Sequence, residues 1–289
     1  MMSDKMDKDQ PKQDYLIEDE SKNVEAPILT ENDDYKPADK LKGKVALITG
    51  ADSGIGQAVA IAFAKEGAKV AFVDIADKED AKHTQKRVEE LGSDVLFFQG
   101  DVGDEEVAKH VVKEVVNKWG QIDILVNNAA ERHTQESIKG ITVDSLDRTF
   151  RTNIFSFFYF VKAALDHLSE GAAIINTSSD TAYEGAPDGM DYAATNGAIV
   201  SFTRSLAQNE EILDKKIRVN SVSPGPIWTP FVPAVEPGVT KESFGKGSPL
   251  ERPGEAYELA PAYVYLASED SSYVTGQVLH VNGGGVVTT

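Results

Sequence analysis

A glycine-rich turn between a short apolar strand and a helix constrains the fold of this chain more than any other feature. Residues 44–49 are apolar and β-branched, which is typical of a buried parallel strand. Glycines follow at positions 50, 54 and 56, and residues 55–67 have helical apolar spacing that ends at a glycine. Such a turn lets the helix N-terminus approach a pyrophosphate. It therefore predicts a dinucleotide site, although many strand-to-helix turns carry glycines for structural reasons alone.

The strand–helix unit recurs along the rest of the chain. Further strands are predicted at 69–74, 95–98, 122–126, 172–177, 217–222 and 277–281, with helices at about 77–91, 104–119, 143–169, from 192, and 255–268. This alternation indicates a parallel sheet with helices on both faces. We predict an α/β fold, a doubly wound Rossmann-type domain of about seven parallel strands over residues 41–289. Its ligand should lie beyond the C-terminal strand ends.

Residues 1–40 differ in composition from the rest of the chain. They are acidic, poor in apolar residues and interrupted by Pro11, Pro27 and Pro37, so they cannot form a core of their own. We expect an arm that either docks on the main domain or on a neighbouring subunit, or stays disordered.

Composition excludes several classes of partner. The chain has 289 residues and a formal net charge of −18, which disfavours nucleic acid and anionic membrane surfaces as partners. It contains no cysteine, so disulfides, thiolate nucleophiles and cysteine-ligated zinc are excluded, and we expect no metal site. The absence of cysteine fits a reducing, cytoplasmic location, and no run of about 18 apolar residues predicts a membrane span.

Asp74 suggests which dinucleotide binds. It ends the second predicted strand, 18 positions after Gly56 (74 − 56). A carboxylate there can accept hydrogen bonds from the adenosine ribose hydroxyls and would repel the extra phosphate of NADP. Gln57 offers no compensating cation, so the sequence predicts NAD. The alternative is that Asp74 is an ordinary solvated strand end.

Tyr192 and Asn196 are candidate catalytic residues at the start of the helix predicted from residue 192. They are four positions apart at its beginning and so share one face. A tyrosine there could exchange a proton through its phenol, although packing alone would also explain it.

These motifs together resemble the short-chain dehydrogenases/reductases over about residues 41–289. Residues 49–56 (Thr-Gly-Ala-Asp-Ser-Gly-Ile-Gly) are similar to the family's cofactor turn, and residues 127–130 (Asn-Asn-Ala-Ala) resemble its Asn-Asn-Ala-Gly element. Ser179 lies 13 positions before Tyr192 (192 − 179), which is the family spacing. Residues 224–229 resemble the segment that clasps the nicotinamide. The acidic arm also resembles that of a bacterial, stress-associated subgroup.

The resemblance implies reversible hydride transfer between NAD and a small alcohol or carbonyl substrate, in a homotetramer or homodimer. Tyr192 would exchange the proton, Ser179 would polarise the substrate oxygen, and Asn153 would hold a water or a backbone feature of the site. The implied catalytic residues are Asn153, Ser179, Tyr192 and Asn196. The implied cofactor-binding residues are Gly50, Asp52, Ser53, Gly54, Ile55, Gly56, Asp74, Asp101, Val102, Asn128, Ala129, Tyr192, Asn196, Pro224, Gly225, Ile227 and Thr229.

One position departs from the family pattern, because Asn196 stands where the family has lysine. A cation ~5 Å from the phenol, at an effective dielectric of ~20, is worth ~3 kcal/mol, or roughly two pKa units. Asp180, if it points inward, would raise the pKa of Tyr192 further. We therefore expect an NAD-dependent oxidoreductase of impaired activity. The alternative is an NAD-binding protein with little or no catalysis, acting as a sensor or scaffold.

Two segments are expected to line the substrate pocket. They are residues 183–191 and 228–248, whose apolar side chains include Tyr183, Met190, Trp228, Phe231 and Phe244. The same side chains could instead pack the lid of the pocket against the body of the domain.

Overall fold

A seven-stranded parallel sheet forms the centre of the computed structural model, which describes residues 26–75 and 79–286. The strands lie in the order β3-β2-β1-β4-β5-β6-β9. Their bounds are β1 Val45–Thr49, β2 Lys69–Asp74, β3 Val95–Gln99, β4 Ile122–Asn127, β5 Leu168–Thr177, β6 Arg218–Pro224 and β9 Val278–Val281. The strand order reverses direction between β1 and β4, so the predicted doubly wound Rossmann fold is confirmed.

Helices connect the strands and cover both faces of the sheet. They are α1 Gly54–Lys65, α2 Glu79–Glu90, α3 Glu105–Trp119, α4 Val143–Phe150, α5 Ser156–Ala164, α6 Thr181–Glu184, α7 Met190–Leu206, α8 Glu210–Asp214, α9 Phe231–Val235 and α10 Ala256–Ala267. Two short strands, β7 Ile227–Trp228 and β8 Gly254–Glu255, pair with each other apart from the main sheet.

Alternate side chains of each strand enter two separate cores. Ile48 and Phe72 face α1 and α10, whereas their neighbours Leu47 and Val73 face α3 and α5. All four are fully buried, and each such side chain stabilises the fold by roughly 1.5–3 kcal/mol. Because both faces are covered, the C-terminal edge of the strands is where a ligand can enter.

The long helix predicted over 143–169 is divided in the structure, and this part of the prediction is corrected. A π-helical turn, Arg151–Phe155, separates α4 from α5, and a 3₁₀ turn ends the helical stretch at His167. Strand β5 begins at Leu168, earlier than predicted, because Leu168 pairs with Ile122 ahead of a register shift. Turns of the π type are frequent at functional sites, and this one contains Asn153.

Residues 26–40 lie against α1 and close over a buried carboxylate. Glu66 is fully buried and accepts hydrogen bonds from the Tyr35 hydroxyl and from the backbone N–H groups of Ala38 (3.1 Å) and Lys40 (2.8 Å). Glu31 pairs with Lys65 at 2.9 Å. The expectation for residues 1–25 of the arm lies outside the described residues.

Two kinds of feature are absent from the described part of the chain. Among residues 26–75 and 79–286, no helix is both long and apolar enough to cross a bilayer. The same residues contain no group of three or more His, Asp or Glu side chains arranged to hold a metal ion.

Candidate active site

One large cavity lies at the C-terminal edge of the sheet, with a volume of about 960 Å³. Every site residue predicted from the sequence lines it, from the glycine turn after β1 to the segment after β6. These residues are distant in sequence, but parallel strands bring their carboxyl ends to the same edge. The cavity therefore unites the predicted cofactor and catalytic positions.

Two glycines of the turn after β1 lie too close to neighbouring backbone to carry a side chain. Gly50 has φ +70°, and a β carbon there would lie 2.7 Å from the Ala129 Cα. A β carbon on Gly56 would lie 1.8 Å from the Gly50 carbonyl oxygen. Both positions require glycine, so α1 can begin directly against β1 and β4.

The N-terminus of α1 faces the cavity and fits an anionic group. The first-turn N–H groups of a helix have no intrahelical acceptor, and the Ser53 side chain does not cap them. Gly54, Ile55 and Gly56 of this turn line the cavity. A pyrophosphate can therefore accept hydrogen bonds there, as expected for a dinucleotide.

Three carboxyl groups line the cavity beside this turn. Asp52 and Asp74 are hydrogen-bonded to each other, and Asp80 adds a third negative charge nearby. Burial, followed by the charge of Asp74, raises the pKa of Asp52 to about 9. Gln57 is turned away, with its amide donating to the Asp52 carbonyl oxygen at 2.9 Å and the Thr84 hydroxyl at 2.7 Å.

Asn128 joins the glycine turn to the neighbouring strand ends. Its side-chain amide donates to the Gly50 carbonyl oxygen at 2.7 Å, and its own oxygen accepts from the Thr177 hydroxyl at 3.1 Å. Asp101 accepts from the Gly103 backbone N–H at 2.8 Å and pairs with Arg148. These contacts hold the walls of the cavity in place without using its open side.

Asn153, in the π turn before α5, is held by hydrogen bonds to the backbone of the loop that follows β4. Its side-chain oxygen accepts from the Glu131 N–H at 2.8 Å, and its side-chain amide donates to the Glu131 carbonyl at 2.9 Å. The same amide also lies 3.2 Å from the Thr195 hydroxyl of α7. Asn153 therefore acts here as a backbone anchor between the loop and α7.

Tyr192, Ser179 and Asn196 meet in the cavity. Tyr192 lies in the first turn of α7, and all three side chains line the cavity. Ser179 and Asn196 both act on the phenol to lower its pKa. Asn196 also donates to the Tyr192 carbonyl oxygen at 2.9 Å. The helical spacing of four residues thus keeps Tyr192 and Asn196 on one face of α7.

The phenol of Tyr192 keeps its proton at neutral pH. Burial raises its pKa above the usual value, and the Asp180 carboxylate adds to that rise. The hydrogen bonds from Ser179 and Asn196 and the guanidinium of Arg132 act in the opposite direction. Burial has the largest effect, so the group is a proton donor rather than a base near pH 7.

Arg132 was missed by the sequence analysis. Its guanidinium carbon lies 5.8 Å from the centroid of the Tyr192 ring, and it donates to Asp188 at 2.8 Å and lies 3.4 Å from Glu236. Arg132 is 60 residues away from Tyr192 in the sequence (192 − 132), so only the fold brings the two together. Its position just after the Asn-Asn-Ala-Ala element was the available signal.

The side chain of Asp180 points into the cavity, which the sequence analysis had treated as one of two possibilities. It is 7% exposed, lines the cavity, and accepts a hydrogen bond from the Ser179 hydroxyl at 3.3 Å. Burial and then the charge of Glu184 raise the pKa of Asp180 to about 6.

The apolar residues expected in the substrate pocket divide into two groups. Phe231 and Phe244 line the cavity. Trp228 is instead buried beneath the lid, with its ring 6.0 Å from that of Phe244 and its indole N–H donating to the Ala26 carbonyl at 3.3 Å. Tyr183 packs its ring against His280 at 4.8 Å. Trp228 and Tyr183 therefore serve packing, the alternative that the sequence left open.

The sequence of this chain is similar to those of several known proteins. The protein family described as enoyl-(acyl carrier protein) reductase matches residues 50–285. General stress protein 39 of Bacillus subtilis is 54% identical over 93% of this chain and 93% of its own length. The chloroplastic NADPH-dependent aldehyde reductase 1 of Arabidopsis thaliana is 50% identical over 88% of this chain and 90% of its own.

Solved structures share the fold. A blue fluorescent protein from a metagenomic library, crystallised in complex with NADPH, is 32% identical and has a TM-score of 0.80, covering 86% of this chain and 100% of its own. The chain belongs to the short-chain dehydrogenase/reductase family and is an oxidoreductase of that type. The predicted family is therefore confirmed, including the similarity to a bacterial general stress protein.

Proposed function

We propose that this chain is an NAD-dependent oxidoreductase that reduces the carbonyl group of a small molecule more readily than it oxidises the alcohol. The observation that carries the proposal is that the phenol of Tyr192, whose pKa burial raises, lines the same cavity as the α1 N-terminus. Carbonyl reduction needs a proton donor at the oxygen, whereas alcohol oxidation needs a base. A phenol whose pKa is raised suits the first role.

The residues of the chain divide the work of the reaction. When bound, the dinucleotide supplies the hydride that reaches the carbonyl carbon. Tyr192 donates its proton to the carbonyl oxygen, and Ser179 positions that oxygen by hydrogen bonding. Asn196 takes the lysine position as an uncharged hydrogen-bonding group. Asn153 keeps α7 and the loop after β4 in register.

A turnover assay tests this function. Small aldehydes and ketones are mixed with the protein and NADH, and the corresponding alcohols are mixed with it and NAD, with the loss or gain of NADH absorbance as the readout. We expect slow reduction near pH 7 and slower oxidation, and we expect Tyr192→Phe to abolish both. Reduction that survives in Tyr192→Phe would contradict the assigned role of the phenol.

The preference for NAD rests on the carboxyl groups of Asp52, Asp74 and Asp80. A ribose carrying hydroxyls can donate to these acceptors, whereas a ribose phosphate would bring a dianion against them. The plant aldehyde reductase is NADPH-dependent by name and the metagenomic protein was crystallised with NADPH, which favours the other cofactor. The local charge carries more weight here because it acts directly on the extra phosphate.

The alternative function is that of an NAD-binding protein with little or no catalysis. The specific observation in its favour is Asn196, since the family lysine that would stabilise the phenolate is missing. Calorimetric binding of NADH together with no turnover in the carbonyl panel would favour this sensor or scaffold function over the enzyme.

A further inference from the structure

A second buried acid lies beside the proton donor and has no role in the function proposed so far. The Asp180 side chain follows Ser179 at the end of β5 and lies in the wall of the same cavity. Both residues are buried, at 7% and 8% exposure. A carboxyl group is seldom buried without a strong ion-pair partner, so its position calls for an explanation.

Ser179 connects this acid to the phenol. Its hydroxyl lies 3.3 Å from Asp180 Oδ1, and the same side chain lowers the pKa of the Tyr192 phenol. The backbone N–H of Thr181 donates to the same hydroxyl oxygen at 3.2 Å and holds it in place. Ser179 thus interacts with both the carboxyl and the phenol, and all three side chains line one cavity.

The charged groups around Asp180 come from two helices and the segment after β4. On α6, Glu184 brings a second negative charge towards the carboxyl. On α7, Tyr192 is the titratable neighbour, and Arg132, after β4, lies 5.8 Å from the centroid of its ring. The C-terminal segment contributes Gly285, where even an added β carbon would stay 3.9 Å from Asp180 Oδ2. The charged neighbour that acts most strongly on Asp180 is therefore negative, which favours its protonated form.

We propose that Asp180 is a positioning residue that returns a proton to Tyr192 through the Ser179 hydroxyl after each carbonyl reduction. The proposal rests on the proposed reductase function. A reduced nicotinamide dinucleotide is the reductant, and it loses two electrons and one hydrogen to the carbonyl carbon. The Tyr192 O–H bond breaks, and its proton goes to the carbonyl oxygen to complete the alcohol.

Two proton shifts then restore the phenol. The Ser179 hydroxyl proton moves to the Tyr192 oxygen, and the Asp180 proton moves to the Ser179 oxygen. Asp180 is left as a carboxylate, which is reprotonated by hydronium or the acid form of the buffer. Charge and atoms balance, since one hydride and one solvent proton have been added to the carbonyl.

The pKa values of Asp180 and Tyr192 support proton transfer from the carboxyl to the phenolate. The pKa of Asp180 is raised to about 6, whereas that of Tyr192 is raised above the tyrosine value of about 10. A proton therefore passes downhill from the acid to the phenolate. The protonated fraction of Asp180 grows as the pH falls through about 6, so the relay is loaded on the acidic side of that value.

The protonation of Asp180 also sets the direction of the Ser179 hydroxyl. With an ionised Asp180, the serine hydrogen is donated to the carboxylate and is not available to the substrate. With a protonated Asp180, the carboxyl donates to the serine oxygen, and the serine hydrogen can point to the carbonyl oxygen. Both effects increase reduction at lower pH.

The test compares the full chain with Asp180→Asn, which keeps the shape and the hydrogen bond to Ser179 but cannot release a proton. The fastest carbonyl substrate of the parent is used with NADH. We expect the parent kcat to rise as the pH falls through about 6. Asp180→Asn should lose this rise and fall about ten- to hundredfold in kcat at pH 5–6, with little change in KM. Asp180→Glu should restore part of the rise.

An infrared titration gives a readout that does not depend on turnover. The stretching band of a protonated carboxyl group should titrate near pH 6 in the parent and be missing from the difference spectrum of Asp180→Asn. If Asp180→Asn has the same unfolding temperature and NADH affinity as the parent, the variant is folded and binds the cofactor.

The outcomes separate the two proposals. An Asp180→Asn variant with the parental kcat profile, or no carboxyl band near pH 6, overturns the relay but leaves the reductase function standing. A parent that binds NADH and reduces no carbonyl overturns both.

Discussion

The guanidinium of Arg132 lies over the ring of Tyr192, 5.8 Å from its centroid. It brings a positive charge to the helix in which Asn196 has replaced the family lysine. Two carboxylates, those of Asp188 and Glu236, pair with Arg132, so much of its charge is already neutralised. The pKa of Tyr192 consequently remains raised, because burial outweighs the distant cation. The lysine is therefore only partly replaced.

Asn196→Lys is expected to increase turnover, most strongly for alcohol oxidation near pH 7. A cation ~5 Å from the phenol is worth ~3 kcal/mol in favour of the phenolate, which corresponds to about two decades in rate. The parent should gain oxidation activity towards alkaline pH, since its Tyr192 pKa is raised, and the variant should gain it at lower pH. Steady-state kinetics across pH measure both. Asn196→Gln, which adds length without charge, is the control, and coinciding profiles for all three proteins would show that another group handles the proton.

Asp74→Asn is expected to weaken the discrimination against NADPH. For unit charges about 6 Å apart at an effective dielectric of about 40, the repulsion is about 1.4 kcal/mol, or about tenfold in Kd. We expect the parent to bind NADH more tightly than NADPH, and the variant to gain about tenfold in NADPH affinity. Fluorescence titration with both cofactors measures this. The exposed Asp33→Asn should change neither affinity, and a parent that binds NADPH as tightly as NADH would refute the role of the acidic cluster.

Tyr35→Phe is expected to destabilise the domain, because it removes a donor to the buried carboxylate of Glu66. A hydrogen bond to a charged group contributes about 1.5–3 kcal/mol to the free energy of unfolding. Urea unfolding followed by circular dichroism measures the loss. Tyr273→Phe is the matched control, because the Tyr273 side chain is fully exposed and its change should stay within about 0.5 kcal/mol. Equal stability of the two variants would mean that residues 26–40 contribute little to the fold.

Phe158→Glu is expected to shift the protein towards the monomer. We expect a homodimer or homotetramer, and α4, the π turn after it and α5 expose the apolar side chains of Val143, Leu146, Phe155 and Phe158. Exposed apolar groups of this size are typical of an interface between subunits. Light scattering coupled to size exclusion measures the mass, with Tyr273→Ser as the control. A parent that already runs as a monomer would refute the expectation.

Much of the site could be predicted because its determinants are local. The tight turn at Gly50 and Gly56 requires glycine for steric reasons that are visible as spacing, and the strand before it is visible as an apolar run. Tyr192 and Asn196 share a helix, so their contact follows from a separation of four residues. The break in the long helix was not predictable in this way, because the π turn around Asn153 depends on its contacts with Glu131 and Thr195.

Apolar periodicity and glycine spacing act over short stretches of chain. They were therefore enough to predict the doubly wound sheet, a ligand site at its C-terminal edge, and the cofactor and catalytic residues that line it. The acidity of these residues depended on the tertiary structure. That structure placed Arg132 over a ring 60 positions away (192 − 132), joined Asp52 to Asp74, and turned Asp180 inward towards Ser179. A pKa depends on burial and on charges that approach through space, and neither quantity is encoded in the spacing of residues along the chain.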